Sequence, residues 1–252
     1  MFIKKIFSLI LAIMVMFGTF TVSASTIGGA NDSLARPGIN GSLYFPENQA
    51  YPENYSPADI LRTQEKLAKT ELLAEETYLT RATDYISIPG TFTMFQQQND
   101  WYCVPASVRS VLYYINGSAP SQGSIANAIG THDYIGTNVM NTTSYLNQQQ
   151  TENWYVSRSS VTQSTMYSSL RVAIVSSQVP ALIGATSPRS NGFLPYETDG
   201  HCVVANAIKN DNTYVQCGDP LGGKNNGNGG TYAYYITCPI SRAPSYVNAL
   251  VY

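Results

Sequence analysis

Apolar side chains recur every three or four residues along several stretches of this chain, whereas in its last third they come in short runs bounded by Gly, Asn, Asp and Pro. The first pattern predicts helices and the second strands. Ser56 to about Arg81 carries a stripe of Leu61, Leu67, Ala68, Leu72 and Leu79. Ser56 is placed to cap this helix, Pro57 fits its first position, Asp59 falls in the first turn, and Glu65 with Lys69 makes a favourable pair. Val108, Val111, Leu112 and Ile115 predict a second helix that starts at Cys103 and stops at Asn116 and Gly117. Ser121–Ile129, Thr137–Leu146 and Thr162–Ser177 read as three more helices. Trp154–Arg158, Ala181–Ala185, a run from His201 to Ile208, Thr213–Gln216 and Tyr232–Thr237 read as strands, with Lys209 to Asn212 as a hairpin loop. Helices first and strands last predict an α+β fold, a helical half packed on an antiparallel sheet.

Upstream of these elements the pattern changes. Lys4 and Lys5 precede an apolar run from Ile6 to Phe20, and Val22, Ser23 and Ala24 follow. That is the form of a secretory signal, so residues 1–24 are expected to be removed and the rest exported in the bacterial manner, free of the membrane. Ser25 to Tyr55 is rich in Gly, Asn, Pro and Ser and predicts an extended segment. Of the 30 charged residues, about a third fall between Ser56 and Tyr85. This shift places a boundary near Pro89 and Gly90: residues 25–87 form a propeptide or N-terminal extension, and residues 88–252 the main domain. The net charge of −2 gives no electrostatic basis for binding nucleic acid.

The helix that starts at Cys103 carries candidate chemistry. Unpaired N–H groups and the macrodipole at a helix N-terminus favour negative charge, hence a thiolate, and Pro105 suits a first turn. Gln97 lies six residues earlier in the run Gln96, Gln97, Gln98, where a side-chain amide can join the Cys103 N–H as an oxyanion donor; Gln96 and Gln98 remain alternatives. Far downstream, pairing Ile208 with Thr213 brings His201 close to Asp219, so that a carboxylate orients an imidazole. His132, followed by Asp133 in a turn rich in Gly and Thr, reads as a surface residue. Cys217 shares the strand face of Asp219 while Cys202 points the other way, which disfavours a bridge between them; a disulfide including Cys238 and free thiols both remain open. No Cys-x-x-Cys or His-x-x-His spacing suggests a metal, and no cofactor is expected. Pro188 to Thr198 and the loop of Gly and Asn from Gly222 to Gly230 are candidate borders of a substrate groove.

At these residues the chain resembles the papain-like cysteine peptidases and, within them, the C39-like branch: glutamine, then Cys103 with Pro105 and Ala106 behind it, then His201 opening a strand, then Asp219-Pro220 after a hairpin. The resemblance covers roughly Ile88 to the C-terminus. It implies a papain-like fold and a secreted thiol peptidase acting on peptide or protein substrates as a monomer. Cys103 would be the nucleophile, His201 the base, Asp219 the orienter and Gln97 the oxyanion donor. A peptidoglycan amidopeptidase of the same thiol class and a non-catalytic binding module that keeps the fold are the alternatives. Val104 departs from the pattern, since the family usually has glycine after the cysteine.

Overall fold

A computed structural model describes residues 55–75 and 84–252. The expected signal, the extended segment up to residue 54 and the end of the first predicted helix lie outside the described residues. Helix α1, Pro57–Glu75, opens as its sequence predicts: the Ser56 Oγ accepts from Asp59 N, and Asp59 Oδ2 accepts from Ser56 N and Oγ. Helix α2, Cys103–Asn116, ends where Gly117 turns left-handed at φ 71° and its N–H reaches back to the Tyr113 carbonyl. Helix α3, Gln122–Ile129, is bracketed by Ser121 as N-cap and Gly130 as left-handed C-cap. A 3₁₀ turn, Val139–Asn141, leads into α4, Thr142–Gln149. Helix α5, Gln163–Leu170, starts in a box between Thr162 and Thr165 and widens into a π-helical stretch, Arg171–Ser177. A short helix α6, Ala243–Tyr246, precedes the last strand. Among the described residues no helix is long and apolar enough to cross a membrane.

The strands are β1 Tyr85–Ser87, β2 Ser157–Arg158, β3 Ala181–Ser187, β4 Thr198–Lys209, β5 Tyr214–Gly218, β6 Tyr235–Pro239 and β7 Val247–Val251. They form one sheet in the order β2-β7-β3-β4-β5-β6, every pair antiparallel, and β1 pairs with β4 beyond the end of β3. Helix α2 lies against β4 and buries Val104, Val108, Val111 and Leu112 in the common core. The α+β class read from the sequence is therefore the fold observed.

Several boundaries differ from expectation for identifiable reasons. The strand expected over Trp154–Arg158 keeps only its last two residues, because Asn147 accepts the Tyr155 N–H and Lys66 donates to the Trp154 carbonyl. Strand β6 starts after Tyr232, whose backbone pairs with Gly223 and Lys224 to close the Gly-rich loop. Strand β4 begins three residues before His201, since β3 continues to pair with it as far as Thr198.

Candidate active site

Cys103 is the first residue of α2, and the loop before it is fastened from two sides. Gln97 N donates to the Pro220 carbonyl at 2.8 Å, Gln96 Nε2 to the Gly222 carbonyl at 2.8 Å, and Lys224 Nζ lies 3.3 Å from Asp100 Oδ1. From the helical side, the Gln122 amide accepts from Gln98 N and donates to the Gln96 carbonyl. The loop before Cys103 is thereby joined to the segment just after β5, which carries Asp219.

The expected pairing of Ile208 with Thr213 is replaced by Ile208 with Val215. A turn sets this register: Asn212 N donates to the Lys209 carbonyl, Asn212 is left-handed at φ 63°, and Asp211 accepts from Thr213 N and Oγ1. Carried on unbroken, that register would put Asp219 opposite Val204, on the face away from His201. A bulge at Asn206 shifts the pairing to Ala205 with Cys217 and Val204 with Gly218. The extra residue returns Asp219 to the face of His201, one diagonal step away.

There His201 Nε2 lies 2.8 Å from Asp219 Oδ1, and both residues have no exposed surface. Asp219 Oδ1 also accepts from Leu221 N at 2.8 Å, and Oδ2 accepts from the Tyr196 hydroxyl at 2.5 Å. The other imidazole nitrogen, Nδ1, has no hydrogen-bond partner among the described residues, and the Cys103 thiol lies close enough to the ring to raise its pKa. Burial alone would lower the imidazole pKa. The Asp219 carboxylate outweighs it by charge and hydrogen bond, with Cys103 adding to its effect, and the pKa is raised to about 10. Cys103 is likewise without exposed surface, so all three side chains are buried.

A thiol at a helix N-terminus, an imidazole facing it and a carboxylate holding that imidazole form the arrangement of nucleophilic acyl transfer. Residues 91–237 match the Peptidase_C39 like family. The chain belongs to that family. It is thus a cysteine peptidase. No curated protein matches it in sequence. Among solved structures it is similar to the peptidase domain of Streptococcus ComA, a bifunctional ABC transporter involved in a quorum-sensing pathway. The identity is 14% and the TM-score 0.40, over 64% of this chain and 97% of that one. It is also similar to recombinant stem bromelain precursor, at 12% identity and TM-score 0.44 over 87% of this chain and 77% of that one.

In this C39-like peptidase the three glutamines have separate environments. Gln96 and Gln98 are exposed, and only Gln97 is buried, its amide nitrogen 2.8 Å from the Asn99 carbonyl and 3.3 Å from that of Asp100. Val104 has no exposed surface and belongs to the same core cluster as Cys103. His132 is exposed in a tight turn closed by Gly136. All four cysteines are free and buried; burial pushes the Cys202 and Cys217 thiols well up, with Cys238 adding to the effect on Cys217. Trp101, half-buried two residues before Cys103, packs against Tyr134 with ring centroids 4.6 Å apart and planes 43° from parallel. Tyr196 is the residue that sequence reasoning passed over. Its segment was read as a groove border, and nothing in the order of residues singles out this tyrosine as the partner of Asp219.

Proposed function

We propose that the protein is an exported thiol peptidase that hydrolyses peptide bonds through Cys103, His201 and Asp219, with Gln97 as oxyanion donor. The observation that carries this reading is the His201 imidazole held through Nε2 by Asp219 at 2.8 Å, its Nδ1 left free of other partners and its pKa raised in part by Cys103, the first residue of a helix. With His201 already holding the proton shared by the Cys103–His201 pair, the thiolate adds to the substrate carbonyl. The developing oxyanion is met by the Cys103 N–H and by Gln97 Nε2, which gives up its longer contact to Asp100. Imidazolium then protonates the leaving amine, and water, deprotonated by the same imidazole, cleaves the thioester. Export is supported by Lys4, Lys5 and the apolar run to Phe20, with residues 25–87 as an N-terminal extension of the peptidase.

Mass spectrometry of products from a peptide library tests the reading. Wild-type protein is expected to yield defined cleavage products, and Cys103→Ala none while keeping its circular dichroism spectrum. Equal product formation by both proteins would overturn the assignment of the sulfur.

A further inference from the structure

The segment between β3 and β4 is clasped at one end. Ser187 Oγ accepts from Leu194 N at 3.1 Å and donates to the Leu194 carbonyl at 3.0 Å, while Phe193 and Leu194 are buried. This clasp delivers Tyr196 edge-on to His201, with centroids 6.0 Å apart, and to Tyr232, at 5.0 Å. The hydroxyl ends 2.5 Å from Asp219 Oδ2.

Asp219 has no exposed surface, and its Oδ1 is already shared between His201 and Leu221 N. Without the phenol, Oδ2 would be a buried carboxylate oxygen lacking a donor, at a cost comparable to a lost charged hydrogen bond. The carboxylate plane is fixed only while both oxygens are held, and that plane sets the direction in which the imidazole presents Nδ1 to the sulfur.

We propose that Tyr196 is a fourth member of the site, a positioning residue that acts through Asp219 by fixing its carboxylate and keeping water from the imidazole–carboxylate hydrogen bond. Burial and the adjacent carboxylate hold the phenol in its O–H form, so it serves as a donor throughout the ordinary pH range. The proposal rests on the peptidase reading above, and its test has one arm that does not need turnover.

Tyr196→Phe keeps the ring and removes only the oxygen. In peptide hydrolysis it is expected to lower kcat about 10-fold with KM unchanged, an effect that disappears when Asp219 is already Asn. Loss of the same size in the Asp219→Asn background would show a role outside Asp219 and overturn the proposal. The second arm is NMR. The chain has 2 histidines, so the Nε2 proton of His201 is readily assigned. It is expected to be protected from exchange in the wild type and to lose at least 10-fold of that protection in Tyr196→Phe, with His132 unaffected. Unchanged protection overturns the positioning role. A wild type that hydrolyses nothing while protection still falls in the variant refutes the peptidase reading and leaves the role of Tyr196 standing.

Discussion

His201 is placed where two opposing effects act on one ring, and the outcome determines when the site can work. Burial disfavours the imidazolium, but the carboxylate 2.8 Å away favours it more, so the ring holds its proton up to about pH 10. In the proposed mechanism leaving-group protonation needs that proton, so kcat/KM is expected to fall as pH rises past about 10, with the apparent value belonging to the thiol–imidazole pair. Asp219→Asn removes the charge that raises the ring, so the alkaline limb is expected to move to lower pH; a limb that stays in place would separate Asp219 from the ring's ionisation. That Cys103, His201 and Asp219 come together was legible in the sequence because each carries a local mark that the family resemblance joins: an apolar helical period after the cysteine, a strand after the histidine, an Asp-Pro after a hairpin. Three adjacent glutamines carry no such distinction, and only burial separates Gln97 from its neighbours. Tyr196 is one of 19 tyrosines, and its role depends on where a loop closes rather than on the residues beside it.

The elements show a related division. Helix ends were legible where a cap residue fixes them, as at Ser121, Gly117 and Gly130. The hairpin of β4 and β5 was legible as a hairpin but not in register, because the count passes through a left-handed Asn212 and the bulge at Asn206, neither of which disturbs the hydrophobic pattern. Strands β1 and β7 were not foreseen; β7 sits between β2 and β3, and the partners of Val251 are as distant in sequence as Leu182 on one side and Ser157 on the other. The loop that delivers Tyr196 depends on one glycine. A Cβ on Gly192 would fall 1.9 Å from Ser187 Oγ and 2.9 Å from Pro188 Cδ, so the clasp between Ser187 and Leu194 exists only because that atom is missing. Gly192→Ala is expected to cost about 1–3 kcal/mol in urea unfolding, the range for a disrupted buried hydrogen-bonding group, and to lower activity by releasing Tyr196. Full activity in a destabilised variant would show that the clasp supports stability alone.

In the molecule as a whole, α1 is fastened to the sheet edge formed by β2 and β7, with β3 lying between that edge and the strand of His201. Thr63 accepts from the Trp154 indole, Thr70 shares a hydrogen bond with the hydroxyl of Tyr252, and Glu71 pairs with Arg158. At the centre Lys66 Nζ donates to Asn153 Oδ1 at 2.9 Å and to the Trp154 carbonyl at 2.8 Å, between the rings of Tyr155 and Tyr252. An amine with two acceptors is satisfied when neutral, and burial, with the charge of Lys69 assisting, lowers Lys66 from 10.5 to about 7. Between those values the unfolded chain carries a proton on Lys66 that the folded protein has shed. Stability from this group is therefore complete above pH 10.5 and is lost as pH falls toward 7, with a slope of at most about 1.4 kcal/mol per pH unit. Lys66→Met removes the titration while filling most of the volume. Measured by urea unfolding between pH 7 and 8.5, the stability of wild type minus that of Lys66→Met is expected to rise with pH, other ionising groups cancelling because both proteins contain them. A difference that stays constant with pH would mean that Lys66 keeps its proton in the fold, and that the two tyrosine rings stabilise an ammonium there.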